Sequence, residues 1–349
     1  MELVVRNVND ALPAALQLLD QFGVARDTRN GPVRYFPGPV LTMYAEPRER
    51  VLFSSARDAN PFFHLFESLW MLAGRDDVAF VKRFVKRMAT FSDDGRTLHG
   101  AYGKRWLSYF GYDQLQVIID ELRRDPNSRR CVLSMWDPGA RDEAGSALDW
   151  PGDLHVAVQG GKDVPCNTAC YFAVNADGAL DMTILNRSND IVWGAYGANA
   201  VHFSYLQEYV AFGVGVPVGQ MYQFSNNLHG YDSTTLPLVQ RGGAEFTPNE
   251  YEDGELQPFP LVSTDLQTWR EDLSVFMEHG PTTGARDPFF RRVATPMWVA
   301  HEAYKSKTLE RFDHAREALD NCRAEDWRRA ALDWLNRREA EVKAQEGTA

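Results

Sequence analysis

Cysteine is scarce in this 349-residue chain: Cys131, Cys166, Cys170 and Cys322 are too few and too scattered for a disulfide framework. Reduced thiols are expected. Positive charge is also short, with 37 Lys and Arg against 48 Asp and Glu, a formal net charge of −11. That balance disfavours a dedicated nucleic-acid binder, because phosphate-backbone contacts need clustered cations. An anionic ligand must then meet a local arginine pocket. No apolar run approaches the ~18 to 20 residues of a membrane span, and the start, Met1-Glu2-Leu3-Val4-Val5-Arg6, lacks a basic region followed by an apolar stretch. A cytoplasmic protein is expected. Internal repeats, low-complexity tracts and long linkers are missing too.

What is present suits a sizeable core: 44% hydrophobic residues, with nine Trp and 20 Phe. Asn60-Pro61 reads as a cap and first-turn proline for a helix carrying Phe62, Leu65, Phe66, Leu69, Trp70 and Leu72, with Gly74 as its stop. Glu67 lies inside that apolar helix, so it must be paired, exposed or functional. Leu115, Ile118, Ile119 and Leu122 give a second helix after Asp113. The pattern then changes to strands at 131–136, 154–158, 169–174 and 179–185, with Asp177-Gly178 turning between the last two. A buried helix is expected over 200–212 and a strand over 220–225, with the glycine-rich run Gly213 to Gly219 as the turn between them. Beyond Arg241-Gly242-Gly243 the acidic, proline-containing stretch to Pro260 has loop composition. The tail then carries Leu266, Trp269, Leu273, Phe276, Phe312, Leu319, Trp327 and Leu335, which read as packing residues. The expected fold is α+β, a mixed or antiparallel sheet packed by helices, with residues 1–245 the main domain and 246–349 a mainly helical extension.

Cys166 stands in Val164-Pro165-Cys166-Asn167, 21 residues before Arg187-Ser188-Asn189-Asp190. A thiol in an electropositive, partly exposed setting is expected to have a lowered pKa and to act as a nucleophile. Around it the polar positions run in order: Arg29-Asn30-Gly31, Glu67, Tyr102-Gly103-Lys104-Arg105-Trp106, Arg129-Arg130, Pro165-Cys166, Arg187-Ser188-Asn189-Asp190, Asn199 and His229-Gly230-Tyr231.

That series resembles the thymidylate synthase family, including its phage-type pyrimidine nucleotide hydroxymethylases, over roughly residues 25 to 232. The resemblance implies a thymidylate synthase-like fold and an obligate homodimer. Arg29, Arg129, Arg130, Arg187 and Ser188 would hold a 5′-phosphate, with Arg129 and Arg130 donated across the subunit interface; guanidinium forks suit phosphate. Cys166 would be the nucleophile, Asn199 the reader of the base edge, and His229 with Tyr231 the ribose contacts. Asn167 and His202 would also line the nucleotide site. Glu67 and Tyr102 would organise proton transfer and ordered water. Asp190, with Trp193 and Gly194, would face the co-substrate, 5,10-methylenetetrahydrofolate, and no metal is implied.

The chain departs from the family's methylating pattern. Their folate-closing tail is not matched by residues 343–349, and no Trp occurs in 88–94 before the Tyr-Gly-Lys motif. Asn167 replaces the usual His after the nucleophile, and the interval from Asp190 to Asn199 is one residue longer. These departures favour water over hydride as the group completing the product, hence hydroxymethylation, and deoxycytidylate (dCMP) is the expected substrate. Hydroxymethylation of dUMP or CMP, and methylation of dUMP, stay open. An asparagine amide pairs with uracil or cytosine by turning over. A zinc nucleotide deaminase lacks its signature here, since Cys166 and Cys170 are separated by three residues and no His-x-Glu occurs. A non-catalytic nucleotide-binding module has no use for Cys166 and Glu67 together.

Overall fold

The computed structural model describes residues 1–139, 152–243 and 249–346. Ten strands among them, β1 (Glu2–Val5), β2 (Val24–Thr28), β3 (Gly31–Tyr35), β4 (Val40–Tyr44), β5 (Val132–Ser134), β6 (Asn167–Val174), β7 (Leu180–Asn186), β8 (Asn189–Asp190), β9 (Val218–Ser225) and β10 (Leu228–Tyr231), form two open sheets. The larger runs β1-β4-β9-β7-β6-β5 and mixes parallel with antiparallel pairs. The smaller runs β2-β3-β10-β8. Alternation decides the faces: Leu180, Met182, Ile184 and Asn186 of β7 are buried and their neighbours are less so. The turn at Asp177-Gly178 is as expected, with Gly178 at φ +76°.

The first helices are α1 (Val8–Phe22), α2 (Pro61–Leu72), α3 (Val78–Val81), α4 (Tyr102–Leu107), α5 (Gln114–Arg124) and α6 (Asp153–Val158). They are followed by α7 (Asn199–Val214), α8 (Asp232–Gln240), α9 (Leu266–His279), α10 (Thr295–Lys305), α11 (Arg311–Leu319) and α12 (Glu325–Glu346). Asn60 caps α2 through its side chain, which accepts from the Phe63 N–H at 3.1 Å. Two departures from the sequence reading stand out. Residues 154–158, expected as a strand, form α6, because fully buried Asp153 ties the first turn to Arg105 at 2.8 Å while Leu154 and Val158 stay exposed. A short apolar run carries no decisive period. The four strands and one helix of the first 44 residues went unread. The expected junction at 245–246 lies outside the described residues, as do the last three residues of the tail.

The tail helices share the core cluster with α2: Phe66 stacks on Phe276 at 6.0 Å and meets Trp298 edge-on at 5.2 Å. Its aromatics are packing residues, as expected. No helix among the described residues is long and apolar enough to cross a membrane.

Candidate active site

Strand pairing delivers the nucleophile. Asn167 at the start of β6 faces Asn186 at the end of β7, and a bulge follows before Ala169. Cys166 and Arg187, one residue beyond each, therefore meet: the Arg187 N–H donates to the Cys166 carbonyl at 2.9 Å. The Arg187 guanidinium turns back onto the same segment, donating to the Pro165 and Val164 carbonyls at 2.9 Å each. Tyr102, from the first turn of α4, accepts from the Asn167 N–H at 3.3 Å and stacks on Phe203. Thiol, guanidinium and phenol are thus assembled.

The electrostatics correct one expectation. Burial pushes the Cys166 thiol above its ordinary range; Arg187 pulls it down, and Asp163 and Asp190 push it up again. Arg187 alone does not win. Asp163, unremarked in the sequence, accepts from the Gly100 N–H at 2.9 Å and is itself pushed up by burial.

The smaller sheet brings in the distant motifs. Its β10–β8 pairing sets His229 opposite Asp190, while β10–β3 pairing carries Tyr231 towards the β2–β3 turn, where Asn30 donates to the Tyr231 hydroxyl at 3.4 Å. Arg29 is exposed in that same turn, and Ser188 lies between β7 and β8. Asp190 begins a π-helical segment, Ile191–Ala198, by accepting from the Trp193 N–H. Its other oxygen, Oδ2, is buried without a hydrogen bond among the described residues, and burial raises its pKa. Trp193 is exposed at the edge, 5.9 Å from the Phe63 ring.

Asn199 opens α7 directly after the π-helical segment. Its amide donates to Asn189 Oδ1 at 3.1 Å, and Asn189 in turn donates to Ser225 Oγ at 3.1 Å. Gly194 lies against this pair: a Cβ there would stand 2.7 Å from Asn189 Oδ1 and 3.3 Å from Asn199 Nδ2. The Asn199 N–H reaches back five residues to the Gly194 carbonyl, the π-helical pattern. Tyr196 and Gly197 leave helical geometry within the segment, so a kink precedes α7.

Glu67 on α2 and His202 on α7 are 6% and 3% exposed, with Oε2 and Nε2 3.0 Å apart. His202 therefore meets Glu67 inside the protein. Arg57, also unremarked in the sequence, donates to the Val192 carbonyl at 2.8 Å and secures the π-helical segment. Asn167 departs from its expected role as a nucleotide contact. It is 0% exposed, and its amide donates to the Leu185 and Ala169 carbonyls at 2.9 and 3.2 Å, bracing the bulge behind Cys166. Arg129 and Arg130 stand apart in the same chain, exposed beside a cleft of about 630 Å³ also lined by Glu121, Arg124, Asp125, Asn127 and Ser128.

The family model described as thymidylate synthase matches residues 57–242. The chain belongs to the thymidylate synthase family. A full-length relative, the deoxyuridylate hydroxymethyltransferase of Pseudomonas phage M6, is 51% identical over 353 residues, covering 99% of this chain and 96% of that protein. Proteins of the same name from Bacillus phage SP01 and Delftia phage PhiW-14 are 36% and 30% identical. The SP01 match covers 55% of this chain and 49% of that protein, and the PhiW-14 match 70% and 66%. As a thymidylate synthase family member, the protein is a one-carbon transferase acting on a pyrimidine nucleotide, with 5,10-methylenetetrahydrofolate as co-substrate.

Proposed function

We propose that this enzyme is a deoxyuridylate hydroxymethyltransferase, building 5-hydroxymethyl-dUMP from dUMP, methylenetetrahydrofolate and water. The observation that carries this reading is 51% identity along nearly the whole chain to a protein of that name. The cytosine expectation gives way here, because the three phage relatives are all named for the uracil nucleotide. The Asn199 amide suits uracil, whose N3–H donates and whose O4 accepts, and its bond to Asn189 restrains it from turning over.

In this reading Cys166 adds to C6, which makes C5 nucleophilic; covalent catalysis divides one difficult step into easier ones. The folate supplies a one-carbon unit for C5. Tyr102 and Glu67 handle protons, Glu67 directing water to the resulting exocyclic methylene carbon. Asp190, with its unbonded buried Oδ2, and Trp193, with its exposed ring at the same edge, fit the hydrogen-bonding and stacking needs of a pterin. Gly194 leaves the Asn189–Asn199 pair unobstructed. Arg29, Arg187 and Ser188 serve the phosphate, and His229 and Tyr231 the ribose. The exposed, adjacent Arg129 and Arg130 suit donation to a second subunit's phosphate in a homodimer.

The test is release of tritium from C5-labelled dUMP, dCMP, UMP and CMP, each with methylenetetrahydrofolate. Release from dUMP at least tenfold faster than from the others supports the assignment, and preference for dCMP overturns the base.

A further inference from the structure

Water must lose a proton as it attacks, and the fold supplies Glu67 with a partner for that proton. We propose that His202 is the positioning and proton-relay partner of Glu67 in the water-addition step, and so sets the hydroxymethyl outcome. This rests on the hydroxymethyltransferase reading above.

Three observations carry it. Glu67 Oε2 and His202 Nε2 stand 3.0 Å apart with both side chains more than nine-tenths buried. Neither that oxygen nor either imidazole nitrogen makes an aligned hydrogen bond among the described residues. Buried polar atoms left in that condition cost roughly 1 to 3 kcal/mol each, so packing alone does not account for the pair. Finally, Asn199 and His202 are three residues apart on α7 and share a face, which sets the pair one helical turn from the side chain assigned to the base.

The surrounding charges direct the proton. His64 lies one turn before Glu67 on α2, and Arg57 lies in the loop before it. Burial, then Arg57, then His202 push the His64 pKa well down, so His64 stays neutral. From α4, Tyr102 stacks on Phe203, the residue beside His202, and burial holds its phenol protonated. The Glu67–His202 pair is left to accept.

The step balances. Water oxygen bonds to the exocyclic methylene carbon while one water proton passes to the Glu67 carboxylate and on to His202 Nε2. The methylene π pair moves into the ring as an enolate. Its collapse re-forms the C5–C6 double bond and expels Cys166 as thiolate, which recovers a proton.

The experiment compares full-length enzyme with His202→Gln and His202→Asn, using C5-tritiated dUMP, methylenetetrahydrofolate and a small thiol able to trap the methylene carbon. Hydroxymethyl nucleotide formed per tritium released should fall at least ~10-fold in His202→Gln, the scale of lost general acid–base help, with thioether rising instead. In the wild type that ratio should fall in deuterated water, because the relayed proton moves as the water attacks, and the variants should lose that isotope effect. A wild-type ratio and isotope effect in the variants would leave His202 a structural residue and overturn the inference. Should neither variant fold, a wild-type ratio unchanged in deuterated water overturns it just as well. Failure of the wild type to release tritium, or its production of thymidylate, would instead sink the underlying reading.

Discussion

Cys166 is held between opposing influences. Burial and the carboxylates of Asp163 and Asp190 favour the thiol, while Arg187, bonded to the same short segment, favours the thiolate. With the thiol pushed above its ordinary range, alkylation of the unliganded protein by iodoacetamide should be slow near neutrality. It should rise about tenfold per pH unit into the alkaline range, following the thiolate fraction. Arg187→Gln should slow modification of Cys166 further at every pH, as located by peptide mass mapping. Fast labelling below pH 7 would contradict this balance. Cys170 is buried and Cys322 is pushed up to about 12, so neither competes. The guanidinium beside the thiol was legible as a motif. The direction of its pKa was not, because burial is conferred by β6, β7 and α4 coming together, and a residue string does not carry that.

At the level of elements, the π-helical segment Ile191–Ala198, kinked at Tyr196 and Gly197, spans the interval between two polar side chains of the site. Asp190 stands at its amino end and Asn199 at its carboxyl end, so the geometry of this segment sets their separation. The Gly194 backbone lies against the Asn189–Asn199 pair, so Gly194→Ala places a methyl group 2.7 Å from Asn189 Oδ1. Helix propensity alone would favour alanine by up to ~1 kcal/mol. We expect kcat/KM for the nucleotide to fall by ~10- to 100-fold, or about 1.4 to 2.7 kcal/mol of transition-state stabilisation, with melting temperature little changed. Steady-state kinetics beside a thermal melt checks both parts. The helices at Pro61 and Gln114 were readable from caps and apolar spacing. The α6 helix was misread because six residues with four aliphatic side chains, Leu154, Val156, Ala157 and Val158, fit either period. The first 44 residues went unread because short strands carry little periodic signal, and their register is set by distant partners such as β9 and β10.

Across the whole molecule, the tail is integrated rather than appended. The Asn7 amide donates to Asn249 Oδ1 at 3.1 Å, the Leu261 N–H donates to Glu208 at 3.0 Å, and Arg337 and Arg338 of α12 both pair with Asp58. Asp58, at φ +50°, precedes α2 and follows Arg57, so the tail reaches the loop that secures the π-helical segment. Packing of tail aromatics was legible. Their partners were not, because an amphipathic pattern shows which face is covered and not by what. Burial raises Asp326 to about 6 from an ordinary 3.8, against the pull of its hydrogen bonds and Arg50. A carboxyl raised on folding contributes stability that is full below about pH 4 and lost as pH rises through about 6. Asp326→Asn should therefore remove a stability decline of order 1 to 3 kcal/mol across that window, seen in urea unfolding at several pH values. Identical slopes for both proteins would contradict it.

The most direct test of the central claim is to identify both products from dUMP and methylenetetrahydrofolate in one reaction: the nucleotide by mass, and the folate by oxidation state. Water addition predicts 5-hydroxymethyl-dUMP together with tetrahydrofolate. Thymidylate accompanied by dihydrofolate would mean that hydride completes the reaction, and would contradict the account.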